Sequence, residues 1–396
     1  MVGWGAAAFG AVLASYSAFR PVRDALILDG DPEQIPWLFT ATFVVAGLLS
    51  PLWGALVAKH PRRVVPIAFH VFAACAVGFF ALVRSELAPV AVGRVFYVWS
   101  AVFNLFVVSI LWSLLADLLG PGTARRLYGP IAAGGTAGTL IGPALTRLFV
   151  GTIGVAGVLL MSAALLELAV VAIAGLARAA TPTDEPGDAI VAGRALDGLR
   201  HVAKSPYLAS IVGYVLCTAT AATFVYLQQA QIAHDALLDR GARAELFASI
   251  DLLVAIATLV LQLGLAGPLL GWLGPGLVLC VLPLVQLGGI ATLAIAPSIT
   301  ALMIVQTASR SATHGLTRPA RELLFTVVDR NDKYRAKNVI DTVVYRLGDF
   351  GSSWLYRGLA AAGAGGASLI VATVPLVAGW LVLATLLGIG YRRRTQ

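Results

Sequence analysis

Runs of apolar residues close to the length that crosses a lipid bilayer follow one another along this chain, with only short polar or Gly-Pro turns between them. A spanning helix needs roughly 20 apolar residues, and about twelve such runs can be laid out. Only 12% of the residues are charged and 59% are hydrophobic, whereas a soluble domain carries roughly 25% charged residues. What remains outside the runs is too short for a soluble domain of any size. The sequence therefore predicts an all-α, multi-pass membrane protein, because a helix satisfies every backbone polar group internally and an open sheet in lipid cannot.

The spans read in order as 2–28, 35–58, 64–83, 95–116, 128–147 and 154–177, then 207–233 and 246–264, with softer limits after that. No charged residue lies between Asp251 and Arg310, so Gly267-Pro268, Gly274-Pro275-Gly276 and Pro297 are taken as the breaks there. The tenth and eleventh spans fall within 299–349 and the last within 365–390. The longest hydrophilic piece, 179–205, reads as a linker whose Ile190, Val191, Ala195, Leu199 and Val202 mark one face of an amphipathic helix on the membrane surface. The expected organisation is a first half at 1–178, this linker at 179–205 and a second half at 206–396.

Lys and Arg collect on alternate loops. Lys59, Arg62, Arg63, Arg125, Arg126, Arg178, Lys204 and Arg392 to Arg394 fall on one side, and far fewer on the other. The positive-inside rule then accounts for the net charge of +8 and places both termini in the cytoplasm. Nucleic acid is not needed to explain the charge. Met1 to Ser15 lacks a basic leader, so the first span is expected to be retained rather than cleaved.

A shift of about 210 residues sets Gly54 on Gly264, Arg125 on Arg335 and Gly138 on Gly348, and one more residue sets Asp24 on Asp235. These matches keep nearly one register, as a duplicated six-helix unit would. Six spans, a linker and six spans is how many secondary transporters are built.

Charge inside a span is costly and must face protein or water. The first span carries Arg20, Arg23 and Asp24; two readings stand, an ion-pair network that latches the halves and a pair of arginines that hold a substrate anion. In the tenth span Arg310, His314, Arg318 and Arg321 fall within an arc of about 80° at 100° per residue. A basic stripe of this kind suits phosphate or carboxylate, whose geometry a guanidinium matches. Arg318 and Arg321 could equally snorkel to headgroups, and His314 is a titratable or merely hydrogen-bonding group. Glu322, Lys337, Asp341, Arg346 and Asp349 are expected to form gating and coupling pairs with the tenth or first span, together with Asp24. Asn104, in the fourth span, is a candidate cavity-lining group. Glu167 and Asp251 read as acids paired within the bundle.

Gly134, Gly138 and Gly142 repeat every four residues, a spacing for close helix packing. Cys75, Cys217 and Cys280 sit inside apolar runs, and neither disulfides nor a metal site is expected. No hydrolase or metalloprotease signature occurs, so no enzyme activity, metal or cofactor is expected.

The turn from Gly54 to Arg63 resembles the loop motif of the major facilitator superfamily, with Lys59 where the family usually has Asp. Gly129-Pro130 with Gly134-Gly135 resembles its Gly-Pro motif. Arg23-Asp24-Ala25-Leu26, together with the stretch from Tyr334 to Asp349, is similar to the ATP/ADP-carrier branch and its free-living bacterial relatives. The resemblance implies two pseudo-symmetric six-helix halves in a bacterial inner membrane. It also implies alternating access and an anionic small-molecule substrate, with a proton or an exchanged counter-substrate as the coupled partner. Within that branch, Arg23, Lys337 and Asp341 match charged positions that serve nucleotide exchange. Asp349 stands where those carriers have Lys. The substrate-binding set expected is Arg20, Arg23, Asn104, Arg310, His314, Arg318 and Arg321; the alternatives are a proton-coupled exporter of a neutral or zwitterionic compound and a non-transporting membrane sensor.

Overall fold

A computed structural model describes residues 1–59, 61–119, 121–179, 205–329, 333, 336–337, 339–363 and 367–395. The side chains at 51–63, 116, 121–125, 341–342, 367 and 369–370 are outside that description. The expected linker helix therefore lies outside the described residues, as do the side chains of the Gly54–Arg63 motif and of Asp341.

The described residues are helical almost throughout. The first four helices are α1 (Val2–Leu26), α2 (Ile35–Lys59), α3 (Pro61–Ser85) and α4 (Pro89–Leu118). Pro121–Ala179 follows as a single run of 59 residues, roughly 90 Å at 1.5 Å per residue and far longer than a hydrocarbon layer of about 30 Å. It is broken at Gly154, where φ is 71°, a conformation that costs glycine nothing. The break separates α5 (121–153) from α6 (155–179).

After α7 (Pro206–Ala236) the same device recurs. The stretch 240–295 is broken at Gly274, with φ of 72°, into α8 (240–273) and α9 (275–295). The sequence reading ended the eighth span at Gly264 and took Gly267-Pro268 as a break. The helix instead passes through both, because a single wider turn of π-helix at Leu261–Leu265 absorbs the irregularity and Pro268 falls in the first turn after it, where a proline is tolerated.

Helix α10 (299–324) is composite: Ile299–Ala312, a π-turn at Thr313–Thr317, then Arg318–Leu324. Helix α11 (340–361) begins with a third π-turn, Ile340–Val344, and continues through Tyr345–Ala361. Helix α12 is Ala367–Thr395. The described residues thus supply the twelve spans that the apolar runs predict.

Contacts divide the chain into two compact units, Met1–Ile190 with Leu237–Leu252 and Val191–Ala236 with Leu253–Gln396. The first twelve or so residues of α8, which the sequence division would place in the second half, cluster with the first.

In the first unit α1 lies directly on α5. A Cβ built on Gly134 or Gly138 would sit on the backbone carbonyls of Ala6 and Gly10, and one on Gly142 would come within 2.5 Å of the Ala14 carbonyl. Small residues let the two backbones touch. Buried hydroxyls then lock the register: Thr146 donates to the Ala18 carbonyl at 2.7 Å, and the Ser15 and Ser162 hydroxyls pair at 2.7 Å. On the other side of α1, Phe19 meets Phe96, Trp99 and Phe103 of α4 with ring centroids 5.2–5.7 Å apart, the edge-to-face spacing that aromatic quadrupoles favour.

The second unit repeats part of this plan. Gly348 of α11 faces α7, where an added Cβ would come within 2.7 Å of Ala219. Gly138 of α5, packed on α1, and Gly348 of α11, packed on α7, are the pair that the 210-residue shift superposes, so the two units share an equivalent packing contact. The core of this unit centres on Trp380 and Tyr214, with rings 5.6 Å apart. The Tyr214 hydroxyl is satisfied by the Leu279 carbonyl at 2.8 Å.

Candidate functional site

Two sets of charged residues stand within the spans, one in each unit. In the first unit Arg20, Arg23 and Asp24 occupy the last third of α1, on either side of Pro21. Arg23 and Asp24 are held together: the guanidinium donates to Asp24 Oδ1 from Nε at 2.9 Å and from Nη2 at 2.6 Å. Arg23 also lies 5.0 Å from the centre of the Tyr97 ring, a cation–π distance. Both side chains are largely buried, at 11% and 7% exposed. Arg20 differs: it is 31% exposed, and its Nε lies 3.8 Å from the buried Asp251 of α8. The expectation that Asp251 is paired within the bundle holds, and its partner is a candidate substrate-binding arginine.

At the far end of α1 a second group of ion pairs fixes the start of α8. Arg240 donates to Asp29 at 3.0 Å and to Glu86 at 2.7 Å. Arg243, only 5% exposed, donates to the Leu28 carbonyl at 2.9 Å and to the Leu237 carbonyl at 2.7 Å. These contacts give the physical reason that Leu237–Leu252 clusters with the first unit. Asn104 is exposed on α4, one residue from the buried Phe103. The spacing of three between Arg240 and Arg243 places them on one helix face, a signal legible in the sequence.

In the second unit the basic stripe on α10 does not stay in phase. A π-turn holds about one residue more than an α-turn, so the Thr313–Thr317 segment turns everything after it back by roughly 100°. Arg310 and His314 are half-buried, Arg318 is exposed and Arg321 is buried. The rotation carries Arg321 toward α11, where Nη1 donates to the Tyr345 hydroxyl at 2.7 Å and the guanidinium sits 5.6 Å from the ring centre. The single stripe of four cations is thus corrected to a split one, since an uninterrupted α-helix was assumed. The π-turn is tied to the one in α8: Gln262 Nε2 donates to the His314 carbonyl at 3.1 Å, and an added Cβ on Gly315 would meet Leu261 Cβ at 2.8 Å.

Where α7, α10 and α11 meet, Tyr214, Val215, Thr218, Thr313, Thr317, Arg318, Arg321 and Tyr345 line a crevice too narrow to hold a water. Two guanidiniums and five hydroxyls face it, and no carboxylate belongs to its lining among the described residues.

Some of the residues expected to form ion pairs meet partners. Lys337 Nζ meets Glu322 Oε2 at 2.5 Å, with both side chains partly exposed. Asp349 accepts from Thr223 on α7 at 3.4 Å, so its hydrogen-bond partner comes from α7 and not from the tenth or first span as expected. The close approach at Gly348 is what brings α7 within reach. Arg346 is half-buried one turn from Asp349. Glu167, read as an internally paired acid, meets His70 of α3 at 2.9 Å, and both side chains are exposed.

The sequence profile described as Major Facilitator Superfamily matches residues 2–321. No curated protein sequence matches the chain. Among solved structures, the nucleoside transporter NupG superposes with a TM-score of 0.67 at 11% identity, covering 100% of this chain and 99% of that one. A POT-family peptide transporter, described as auto-inhibited, gives 0.66 at 12% identity over 99% and 96%. A bacterial homologue of the iron transporter ferroportin gives 0.60 at 16% identity over 99% and 97%. At these identities the likeness is one of fold.

Proposed function

The chain belongs to the major facilitator superfamily, and from that premise we propose that this multi-pass membrane transporter carries a small organic anion by alternating access. Nucleotides and phosphorylated metabolites are the first class to test. The observation that carries the reading is the crevice of the second unit, where the guanidinium-bearing Arg318 and Arg321 are set among Tyr214, Tyr345 and three threonines. Guanidinium forks match the oxygens of phosphate and carboxylate, and the Tyr345 hydroxyl, which accepts from Arg321, keeps a proton of its own to donate.

In the closed crevice the Arg321 guanidinium is occupied by Tyr345. An entering anionic group takes over those donors and Tyr345 turns aside, while Arg318, exposed at the edge, makes the first contact. Arg20 gives a second cationic point in the first unit. The family relationship supports the transporter class; the chemistry of the crevice supports the anion. The charge asymmetry of the loops supports termini on the cytoplasmic side of the membrane.

The test is counterflow in proteoliposomes preloaded with unlabelled ADP, with labelled ATP outside. Accumulation that falls at least tenfold in Arg321→Ala and survives in Glu167→Gln, whose side chain is exposed and meets only His70 among the described residues, supports the reading. Folded protein that accumulates none of ATP, phosphate esters or dicarboxylates counts against it.

A further inference from the structure

Asp251 interrupts an otherwise apolar part of α8, three turns from the helix start. At 100° per residue Arg240, Arg243 and Asp251 share an arc of about 80°, and this face meets α1. Charge runs in the same order along the two segments, Arg before Asp. Arg20 stands on α1 and Asp29 nine residues later, just past its end; on α8 Arg240 comes first and Asp251 eleven residues later. Arg240 meets Asp29 and Arg20 meets Asp251, which is an antiparallel two-rung arrangement.

The two rungs are not alike. Arg240 holds Asp29 at 2.9 Å and Glu86 at 2.7 Å, the length of a charge-assisted hydrogen bond. Arg20 and Asp251 touch at 3.8 Å, close enough to neutralise one another and too far to hydrogen-bond. The guanidinium is 31% exposed and the carboxylate 9%, so the cation is the more open partner of the pair and the anion is nearly covered. A guanidinium has five N–H donors, and among the described residues none of Arg20's is spent on a hydrogen bond. An anion arriving from water can therefore take short bidentate bonds that Asp251 does not make.

We infer that Asp251 is the resident counter-ion of Arg20 and that the substrate's anionic group displaces it. This rests on the anion-carrier reading above and names the event that reading lacks. With substrate absent, Asp251 neutralises Arg20 inside the span, where an uncompensated charge is expensive. With substrate present, the anion takes the cation and Asp251 is released. The ligand group is a phosphate or carboxylate, because only a planar or tetrahedral oxyanion uses the guanidinium fork.

The test measures how fast phenylglyoxal modifies Arg20 in the full chain reconstituted in liposomes, read by peptide mass spectrometry, without ligand and with ADP, pyrophosphate or citrate. In Asp251→Asn the ligand-free modification of Arg20 is expected to rise about fivefold, the scale of a partly buried ion pair. ADP protection is expected at a several-fold lower concentration than in the wild type. Asp251→Glu, which keeps the charge, is expected to modify at the wild-type rate and guards against a fold defect. An unchanged ligand-free rate in Asp251→Asn overturns the counter-ion assignment and leaves the carrier reading standing. Failure of all three anions to protect Arg20 in either protein overturns the displacement and counts against the anion reading itself.

Discussion

Gly138→Ala adds one carbon, and the structure says where it goes. The new Cβ lands on the Gly10 carbonyl oxygen and lies 2.9 Å from the Ala14 amide nitrogen, both backbone atoms of α1. Neither can rotate away as a side chain would. Restoring an ordinary contact near 3.5 Å requires α1 to back off α5 by roughly 1 Å. Overpacking of this kind costs about 1–3 kcal/mol. Retreat also stretches the buried Thr146–Ala18 hydrogen bond, worth about 1 kcal/mol.

The sum, roughly 2–4 kcal/mol, lowers a melting temperature by about 2–4 °C per kcal/mol for a unit of this size. Thermal unfolding of the purified protein in detergent, followed by intrinsic fluorescence, measures it. Gly47→Ala is the control, since a Cβ there meets nothing within 4 Å, and it is expected to melt with the wild type. If Gly138→Ala melts within 1 °C of that control, the backbone contact between α1 and α5 is not what holds the first unit together. A functional consequence follows from the same displacement, because α1 carries Arg20, Arg23 and Asp24. Transport by Gly138→Ala should fall even where enough folded protein remains.

The Arg240–Asp29 pair is expected to show a coupling of about 1–2 kcal/mol in a double-mutant thermal cycle with Arg240→Gln and Asp29→Asn, above the 0.2–1 kcal/mol of exposed pairs, because Asp29 is only 10% exposed. Arg243→Ala should cost more, about 2–4 kcal/mol, since it strips a donor from the Leu28 and Leu237 carbonyls in a buried site; a melting curve like the wild type's would contradict that. Lys337→Ala should leave stability within about 1 kcal/mol despite the short 2.5 Å contact with Glu322, because both groups reach water. In counterflow, Tyr345→Phe is expected to retain transport and lower the half-saturating substrate concentration, since it frees Arg321 from its hydroxyl partner; a large loss of rate instead would make Tyr345 a substrate contact.

Much of the architecture was legible because its causes are local. An apolar run of span length can satisfy its backbone only as a helix, and glycines spaced by four announce a close helix contact before the partner is known. Gly138 and Gly348, superposed by a shift of the sequence on itself, turn out to perform the same packing task in the two units. The breaks were harder to read. Gly267-Pro268 carries a stronger turn signal than Gly154, yet the helix runs through the former and breaks at the latter. A proline costs little where a π-turn has already loosened the hydrogen-bond ladder, and nothing in the local sequence marks that turn.

The candidate site shows where such a reading fails and why. Periodicity assigns residues to helix faces only while the period is constant, so the π-turn at Thr313–Thr317 propagates an error to every residue after it. Arg310 and His314 keep the phase that 100° per residue predicts; Arg318 and Arg321 do not. Three π-turns fall in the second unit, in α8, α10 and α11, and two of them meet through Gln262 and Gly315. An extra residue in a turn is a displacement held in place by its neighbours, and a helix can pass it along by shifting one hydrogen bond at a time. If the turn in α10 moved beyond Arg321, that residue would regain the uninterrupted phase and rotate off Tyr345, and the crevice would open with no rigid movement of α10 as a whole. The proposed anion site and the irregularity that hides it from sequence would then be parts of one arrangement.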